Sequence, residues 1–436
     1  MTRRKRILLF ATKLGYQTRS FQSAAEKLGV EIAYVTDRCG RLDDPWNDHA
    51  LAVHFELPEG AAGRVLEAER GHAVDGVLAV GDRPTIAAAY VARGLGLAHN
   101  HPASVEACRS KLWAREVLRD AGVPVPWFRS VKLEPLPEPS LLGIRYPCVL
   151  KPLSLSASQG VVRVNNREEF LAGAARLKRL LDSAEIRATR ESNLDQMLVE
   201  GYLEGREVAV EALLTRGELR VLAIFDKPDP LDGPYFEESI YVTPSRLPSA
   251  HQRDIEQLLH SAVGALGLSH GPVHAEFRLN PQGVWPIEIA PRPIGGLCAR
   301  ALRFVAANEG NIGLEELLLR HALEMPGSDA SRESEACGVM MIPVPRSGIL
   351  EKVEGTMEAQ ATVGITDLEI TARLHDFIAA WPEGSSYLGF LFARAAGPAE
   401  VEDALRTAHR KLRFTLTPRL PVEHPLSHTV PPADCA

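Results

Sequence analysis

Along residues 5–105, short apolar runs alternate with stretches whose apolar residues fall at helical spacing. Arg6–Ala11 is short and apolar, and reads as a first strand. Ser20–Leu28 has the spacing of a helix, with Gly29 as its C-terminal stop. Val30–Thr36 is strand-like again. Val74–Val80 reads as a buried strand, followed by Gly81-Asp82 and then a helix from about Pro84 to Gly94. This alternation predicts a doubly wound parallel sheet. Ligands of such sheets sit at the carboxyl ends of strands, which makes Asp82 a candidate substrate contact. The first turn, Ala11-Thr12-Lys13-Leu14-Gly15, lacks GxGxxG, so dinucleotide binding is not supported.

Further along, Ser104–Gly122 reads as one helix, with Ser104 as cap and Gly122 as terminator. Val123-Pro124-Val125-Pro126 breaks regular structure. A strand, Cys148–Lys151, enters a small-residue loop, Pro152–Gly160, and a second strand, Val161–Val164, leaves it. That loop precedes a strand and not a helix, so it is no P-loop. Residues 196–214 hold two strands around "EGYLEGRE", and a helix is expected over 251–266. Two runs of alternating apolar and polar residues, Val273–Leu279 and Val284–Ile289, flank Asn280-Pro281-Gln282-Gly283. A hairpin is the natural reading. From Gly338 the pattern is mixed α and β, as expected of a separate small domain.

Composition narrows the class. With 436 residues, 45% hydrophobic and 24% charged, the chain has material for about three globular domains. A net charge of −7 argues against a general nucleic-acid binder. The apolar run Ile7–Ala11 is too short for a signal-peptide core or a membrane span. The six cysteines (39, 108, 148, 298, 337 and 435) form no CxxC pair and suit a reducing, cytoplasmic setting. The tail, Ser427–Ala436, is expected to fray.

The hairpin carries the sharpest chemical signal. On its first strand His274, Glu276 and Arg278 share one face, and on its second Glu288 faces opposite to Ile287 and Ile289. For Glu276 and Glu288 to be cross-strand neighbours, the hairpin needs an odd-length connection or a bulge, for which Gly283 is a candidate. Two carboxylates about 5 Å apart share a proton or a cation. Oxygen ligands suit Mg²⁺ or Mn²⁺, held together with substrate phosphates. The alternative is a pair of acids on an exposed sheet face. Zinc at His270, His274 and Glu276 lacks an HExxH helix or thiol cluster. In "KPLSLSASQGVVRV", Ser154, Ser156, Ser158, Gln159 and Gly160 offer hydroxyls and backbone N–H groups that can fold over phosphates; a plain strand connection is the alternative. In "VEGYLEGREVAVE", the backbone of Glu200–Leu203 is expected to be free to read a purine edge, with Glu207 accepting from ribose hydroxyls.

In order and spacing, Ser110-Lys111, "VLKPLSLSASQGV", "VEGYLEGREVAVE" and "HAEFRLNPQGVWPIEIAPRPIGG" resemble the ATP-grasp superfamily of carboxylate–amine ligases. The likeness covers Arg6 to about Arg303. "FDKPDPLDGPYFEE" and "EIAPRPIGG" look most like the L-amino-acid ligase branch, which joins amino acids into dipeptides. The fold implied is ATP-grasp, mixing α/β and α+β. A doubly wound parallel-sheet N-terminal domain (1–104) would precede an ATP-grasp core (105–330) and a small mixed α/β domain (331–436). The core would comprise a helical linker (105–126), a phosphate-loop subdomain (127–200) and a metal and catalytic subdomain (201–330).

The resemblance implies ATP at Lys111, Lys151, Ser156, Ser158, Gln159, Gly160, Glu200, Tyr202, Leu203 and Glu207. It implies Mg²⁺ at Glu276 and Glu288, and catalytic roles for Arg292, Lys151 and the Gly295-Gly296 backbone. Where its pattern has an Asn ligand, this chain has Ala290. Asp82, Glu237, Glu238 and His274 are the candidate substrate contacts. Substrates would be a small carboxylate and an amine, with no nucleic acid or membrane partner, and a homodimer is common in such ligases. A carboxylase, a purine-pathway-type ligase and a non-catalytic ATP-binding module stay open. The last predicts loss of the metal acids, and both are present.

Overall fold

The structure, a computed structural model, describes residues 3–12, 16–37, 50–134, 143–306 and 310–418. Lys13–Gly15 of the first turn, Cys39, Cys435 and the tail Ser427–Ala436 lie outside them. Among the described residues no helix is long and apolar enough to cross a membrane. The four described cysteines are unpaired.

The first sheet is parallel: β1 (Arg6–Ala11), β2 (Glu31–Thr36), β3 (Leu51–Ala52) and β4 (Gly76–Val80) lie in the order β3-β2-β1-β4. Alternation along β1 sends its side chains to two different layers. Ile7 and Leu9 pack with Phe21 and Ala25 of α1 (Tyr16–Leu28), which starts ahead of the expected Ser20. Leu8 and Phe10 pack with residues of α2 (Pro58–Ala68) and α3 (Thr85–Leu95). The layer over α1 also holds Leu317 and Leu318 of a helix far along the chain, Leu314–Ala322. The N-terminal sheet therefore closes its core with residues of a later segment.

The expected single helix over 104–122 is two helices, α4 (Pro102–Arg109) and α5 (Lys111–Asp120). Ser104 is not the cap. His101 caps α4, with Pro102 in its first turn. Ser110 is extended, ends α4, and caps α5 by accepting from the Trp113 N–H at 3.3 Å. A serine whose side chain satisfies the next helix's free N–H makes such a break cheap. The break makes Lys111 the first residue of α5.

Next comes a four-stranded antiparallel sheet in the order β5-β8-β6-β7, built from β5 (Phe128–Lys132), β6 (Cys148–Pro152), β7 (Val162–Val164) and β8 (Gln196–Gly201). Helix Arg167–Leu181 backs it through Phe170, Ala174 and Leu177. The largest sheet has eight strands. It begins β13-β12-β9-β10-β11, from β9 (Arg206–Thr215), β10 (Glu218–Asp226), β11 (Ile240–Thr243), β12 (Gly271–Asn280) and β13 (Gly283–Ala290). It continues without interruption into Ala336–Ile342, Gly389–Ala395 and Ile365–Ile370. The C-terminal residues thus extend the sheet that carries the hairpin.

Candidate functional site

The hairpin places Glu276 opposite Glu288, and does so through a bulge. Its turn is tight: Asn280 pairs with Gly283 and Phe277 with Pro286. In a regular ladder of that register Glu276 would oppose Ile287. One extra residue, between the Phe277–Pro286 and Glu276–Glu288 pairs, brings Glu288 into line instead. The bulge sits at Pro286-Ile287 and not at Gly283. Proline suits the position, since it has no N–H to give to a ladder. Ile287, at the irregularity, and Glu288, beside it, both line the same cleft. The bulge frees the carbonyls of Pro286 and Ile287, and the buried Arg115 guanidinium of α5 donates to both, at 3.1 and 2.9 Å.

That cleft lies between the four-stranded sheet and the hairpin. Of the expected residues, Lys111, Lys151, Ser158, Glu200, Tyr202, Leu203, Glu207, Glu276 and Glu288 all line it. Lys151 forms an ion pair with Glu200, whose other partner is Arg115 at 2.9 Å. Burial opposes ionisation of Glu200, but the two cations overcome it and hold the carboxyl down at about 2. Lys111 Nζ donates to the Leu155 carbonyl at 2.6 Å, joining the head of α5 to the β6–β7 loop.

The purine-edge expectation needs correction. Glu200 is paired on both sides, with β5 and β6. The Gly201 N–H donates to Trp127 O and the Tyr202 N–H to Pro147 O. The Leu203 carbonyl accepts from Arg278 at 2.6 Å. Glu207 is held by Arg278 and Lys227, each at 2.8 Å.

Lys227, in the stretch "FDKPDP", sits among three carboxylates. Its ammonium pairs with Glu207, Glu276 and Glu238, the first two at 2.8 and 3.0 Å. Oxygens of these three acids lie within 4.8 Å of one another, close enough to share a cation. Burial disfavours the Lys227 charge, yet the acids raise its pKa well above the usual lysine value. Burial and the neighbouring Glu276 push Glu238 up to about 7 against the pull of Lys227. Glu276 is driven the other way, well below the carboxylate range, since Lys227 and His274 outweigh its burial.

The chain from Tyr146 to the end of the hairpin therefore supplies strands of two sheets, the cleft between them and its acidic floor. Residues 144–301 match the family model of the ATP-grasp domain, and residues 340–417 match L-amino acid ligase C-terminal domain 2. The chain carries an ATP-grasp domain. The L-amino acid ligase of Bacillus licheniformis has a similar structure, with a TM-score of 0.80 at 26% identity over 95% of this chain and all of that one. Among curated proteins, ATP-grasp enzyme fsqD of Aspergillus fumigatus is 27% identical over 63% of this chain and 53% of its own length. A formate-dependent phosphoribosylglycinamide formyltransferase of Bordetella bronchiseptica is 27% identical over 85% of this chain and 86% of its own. The chain spans 65% and 53% of the lengths of the first two curated relatives it matches.

The remaining expected residues are not among those that line the cleft. Arg292 is bonded to Asp82 at 2.9 and 3.3 Å, and the Ser156 hydroxyl donates to the same carboxylate at 2.7 Å. Burial opposes the Asp82 charge, but Arg292 and Arg109 hold its pKa far below the usual range. His274 pairs with Glu211, which raises the imidazole to about 9 against its burial. The other Glu211 oxygen accepts from the Ile294 N–H at 3.1 Å, so Glu211 links His274 to the Arg292 segment. Gly296 has φ of +61°, and a Cβ there would stand 3.0 Å from the Phe390 ring. Glu237 parts from Glu238 and accepts from the Val344 N–H at 3.1 Å. Gln159 and Gly160 face the C-terminal segment. Ala290 is buried opposite His274 and offers no ligand atom from its side chain.

Sequence reasoning passed over Lys227, Arg278, Glu211 and Arg115. Two had a signal. Lys227 follows an apolar strand as Lys151 does, and Arg278 shares a strand face with Glu276. Arg115 had none, because its partners, Glu200 and the carbonyls of Pro286 and Ile287, come from distant segments.

Proposed function

We propose that this ATP-grasp chain is an ADP-forming ligase that activates the carboxylate of one amino acid and joins it to the amine of another. The observation that carries the reading is the opposition of Glu276 and Glu288 across the bulged hairpin, in the same cleft as Lys111 and Lys151. Glu276 and Glu288 would hold magnesium, which supplies charge neutralisation for a transferring phosphoryl group. The donor set fits: Glu288 has no ion pair among the described residues, and Glu276 is held ionised by Lys227 and His274.

The chain's own residues do the rest by position and charge. Lys111 and Lys151 face the phosphates, and Ser156, Ser158, Gln159 and Gly160 cover them. Tyr202 and Leu203 meet the base, beside Glu200, while Glu207 takes the ribose. A substrate carboxylate oxygen attacks the γ-phosphorus, the bond to ADP breaks, and an acyl phosphate results. The amine nitrogen then attacks the acyl carbon, loses a proton, and phosphate leaves with the bonding pair. Arg292 and the Gly295-Gly296 backbone are the groups we assign to the developing oxyanion. Arg292 must exchange its Asp82 partner to do so. Asp82 and Glu238 are the acids we assign to a substrate ammonium group, with His274 behind Glu276.

A second reading keeps the fold and changes the acceptor to that of a purine-pathway-type ligase. The formyltransferase likeness over 85% of the chain favours it. The deciding experiment measures ADP release with no acceptor, with amino-acid mixtures, and with formate plus phosphoribosylglycinamide, detecting products by mass. ADP that forms with one amino acid and increases with a second supports the dipeptide ligase. Formate-dependent turnover alone supports the second reading.

A further inference from the structure

The loop joining β6 to β7 reaches the cleft through Ser158, yet much of what holds it comes from the other end of the chain. Three consecutive C-terminal residues grip it. The Trp381 indole N–H donates to the Ala157 carbonyl at 3.1 Å. The Pro382 carbonyl accepts from the Gly160 N–H at 2.7 Å, and the Glu383 carbonyl accepts from the Gln159 side chain at 2.7 Å. The Glu383 carboxylate also pairs with Arg176, on the helix that backs the loop's own sheet.

The loop needs such support. Ala157 and Ser158 have φ of +55° and +53°, a left-handed conformation that residues with a side chain adopt only when their surroundings impose it. Turn bonds from Gln159 N–H to Ser156 O and from Val161 N–H to Ser158 O close the bend but do not orient it. Trp381 is suited to orient it because it is itself packed into a core. It is buried in the C-terminal core with Leu388, Leu391 and Leu405, and its ring lies 4.9 Å from that of Tyr387.

We propose that Trp381 is a positioning residue for the phosphate-covering loop, so that the C-terminal domain sets how long an activated acyl group stays shielded from water. The proposal rests on the ligase reading. With the loop displaced, a water oxygen attacks the acyl carbon in place of the amine. Phosphate leaves with the bonding pair, a proton goes to solvent, and the free acid returns with one ATP already converted to ADP.

The test uses the full chain and Trp381→Phe, which keeps a ring against Tyr387 and removes the N–H. Loss of one neutral hydrogen bond predicts a roughly 2- to 10-fold faster hydrogen exchange of residues 153–160. The ratio of ADP to joined product should rise by a similar factor, the KM for ATP should rise, and the melting temperature should hold. Gln159→Leu breaks the neighbouring contact from the loop's side and leaves the C-terminal core untouched. It must also speed exchange of 153–160, and it decides the matter if the tryptophan variant does not fold. Wild-type exchange in both variants overturns the proposal, as does an unchanged ADP-to-product ratio in an active ligase. If wild-type protein forms no ADP with any amino acid, the ligase reading fails, while the exchange measurement still decides whether Trp381 holds the loop.

Discussion

At the scale of single residues, the site is a balance of buried charges. Glu288 is the carboxylate left for an incoming cation, whereas Glu276 already has Lys227 and His274. Glu288→Gln keeps the shape and removes the charge. ADP formation should fall by at least about 100-fold, as ligand-shell losses do at metal sites, with the melting temperature near wild type. Stopped turnover with an intact melt is the outcome to look for; wild-type turnover would rule Glu288 out. Lys227 is the reverse case, a structural counter-ion. Lys227→Met leaves Glu207, Glu238 and Glu276 facing each other without it. Removing one partner of a buried ionic cluster costs about 3–5 kcal/mol, readable as a lower denaturation midpoint. Because the three acids can share a cation, Mg²⁺ should raise the midpoint of this variant more than that of wild type. An unshifted midpoint would show that Lys227 is not what holds the acids together. Lys227 was legible as a lysine after an apolar strand. Its three partners were not, since Glu207, Glu238 and Glu276 come from separate segments.

At the scale of elements, the hairpin was largely readable and its register was not. Period-two alternation marks both strands, and the turn residues mark their join. The cross-strand pairing of Glu276 with Glu288 required a bulge, and local sequence does not say which residue of β13 is extra. Tertiary contact decides it: Arg115 takes the two carbonyls that the bulge exposes and also pairs with Glu200. Arg115→Met would strand both carbonyls and leave Glu200 with Lys151 alone. It should cost about 3–5 kcal/mol of stability and lower activity as Glu288 slips, checked by denaturant titration and ADP release. Unaltered stability would remove Arg115 as the bulge's support. The helix over 104–122 failed in a similar way. Its spacing is continuous, but the Ser110 cap breaks it where Lys111 must reach the Leu155 carbonyl.

At the scale of the whole molecule, the segments are tied by contacts that no local pattern announces. His99, His270 and His321 come from three distant stretches and line one small cavity; the His270 and His321 rings stack at 4.5 Å. The His270 Nδ1 atom has no partner among the described residues. Arg216 and Glu324 face His270 with opposite effects, and Arg220 faces His321. Burial, the largest cause, lowers His99 and His321 to about 4 and lowers His270 as well. An unfolded histidine titrates near 6.5, so between about 6.5 and 4 the unfolded chain binds more protons than the folded one. The cluster's contribution to stability is therefore full above pH 6.5 and falls as pH drops through that window. The melting temperature should decline between pH 7 and 5, and His321→Gln should flatten the decline; a slope unchanged by that substitution would clear the cluster. What the sequence by itself determined is what local periodicity and residue type encode: the doubly wound start, the strand-loop-strand, the acidic hairpin, and the order of motifs that marks an ATP-grasp chain. What only the tertiary structure decided is what depends on distant partners. That set includes the bulge that aligns the two acids, the lysine among the carboxylates, Asp82 on Arg292, and the C-terminal grip on the β6–β7 loop. Burial and long-range charge set these, and both are properties of the packed chain, absent from any local stretch of it.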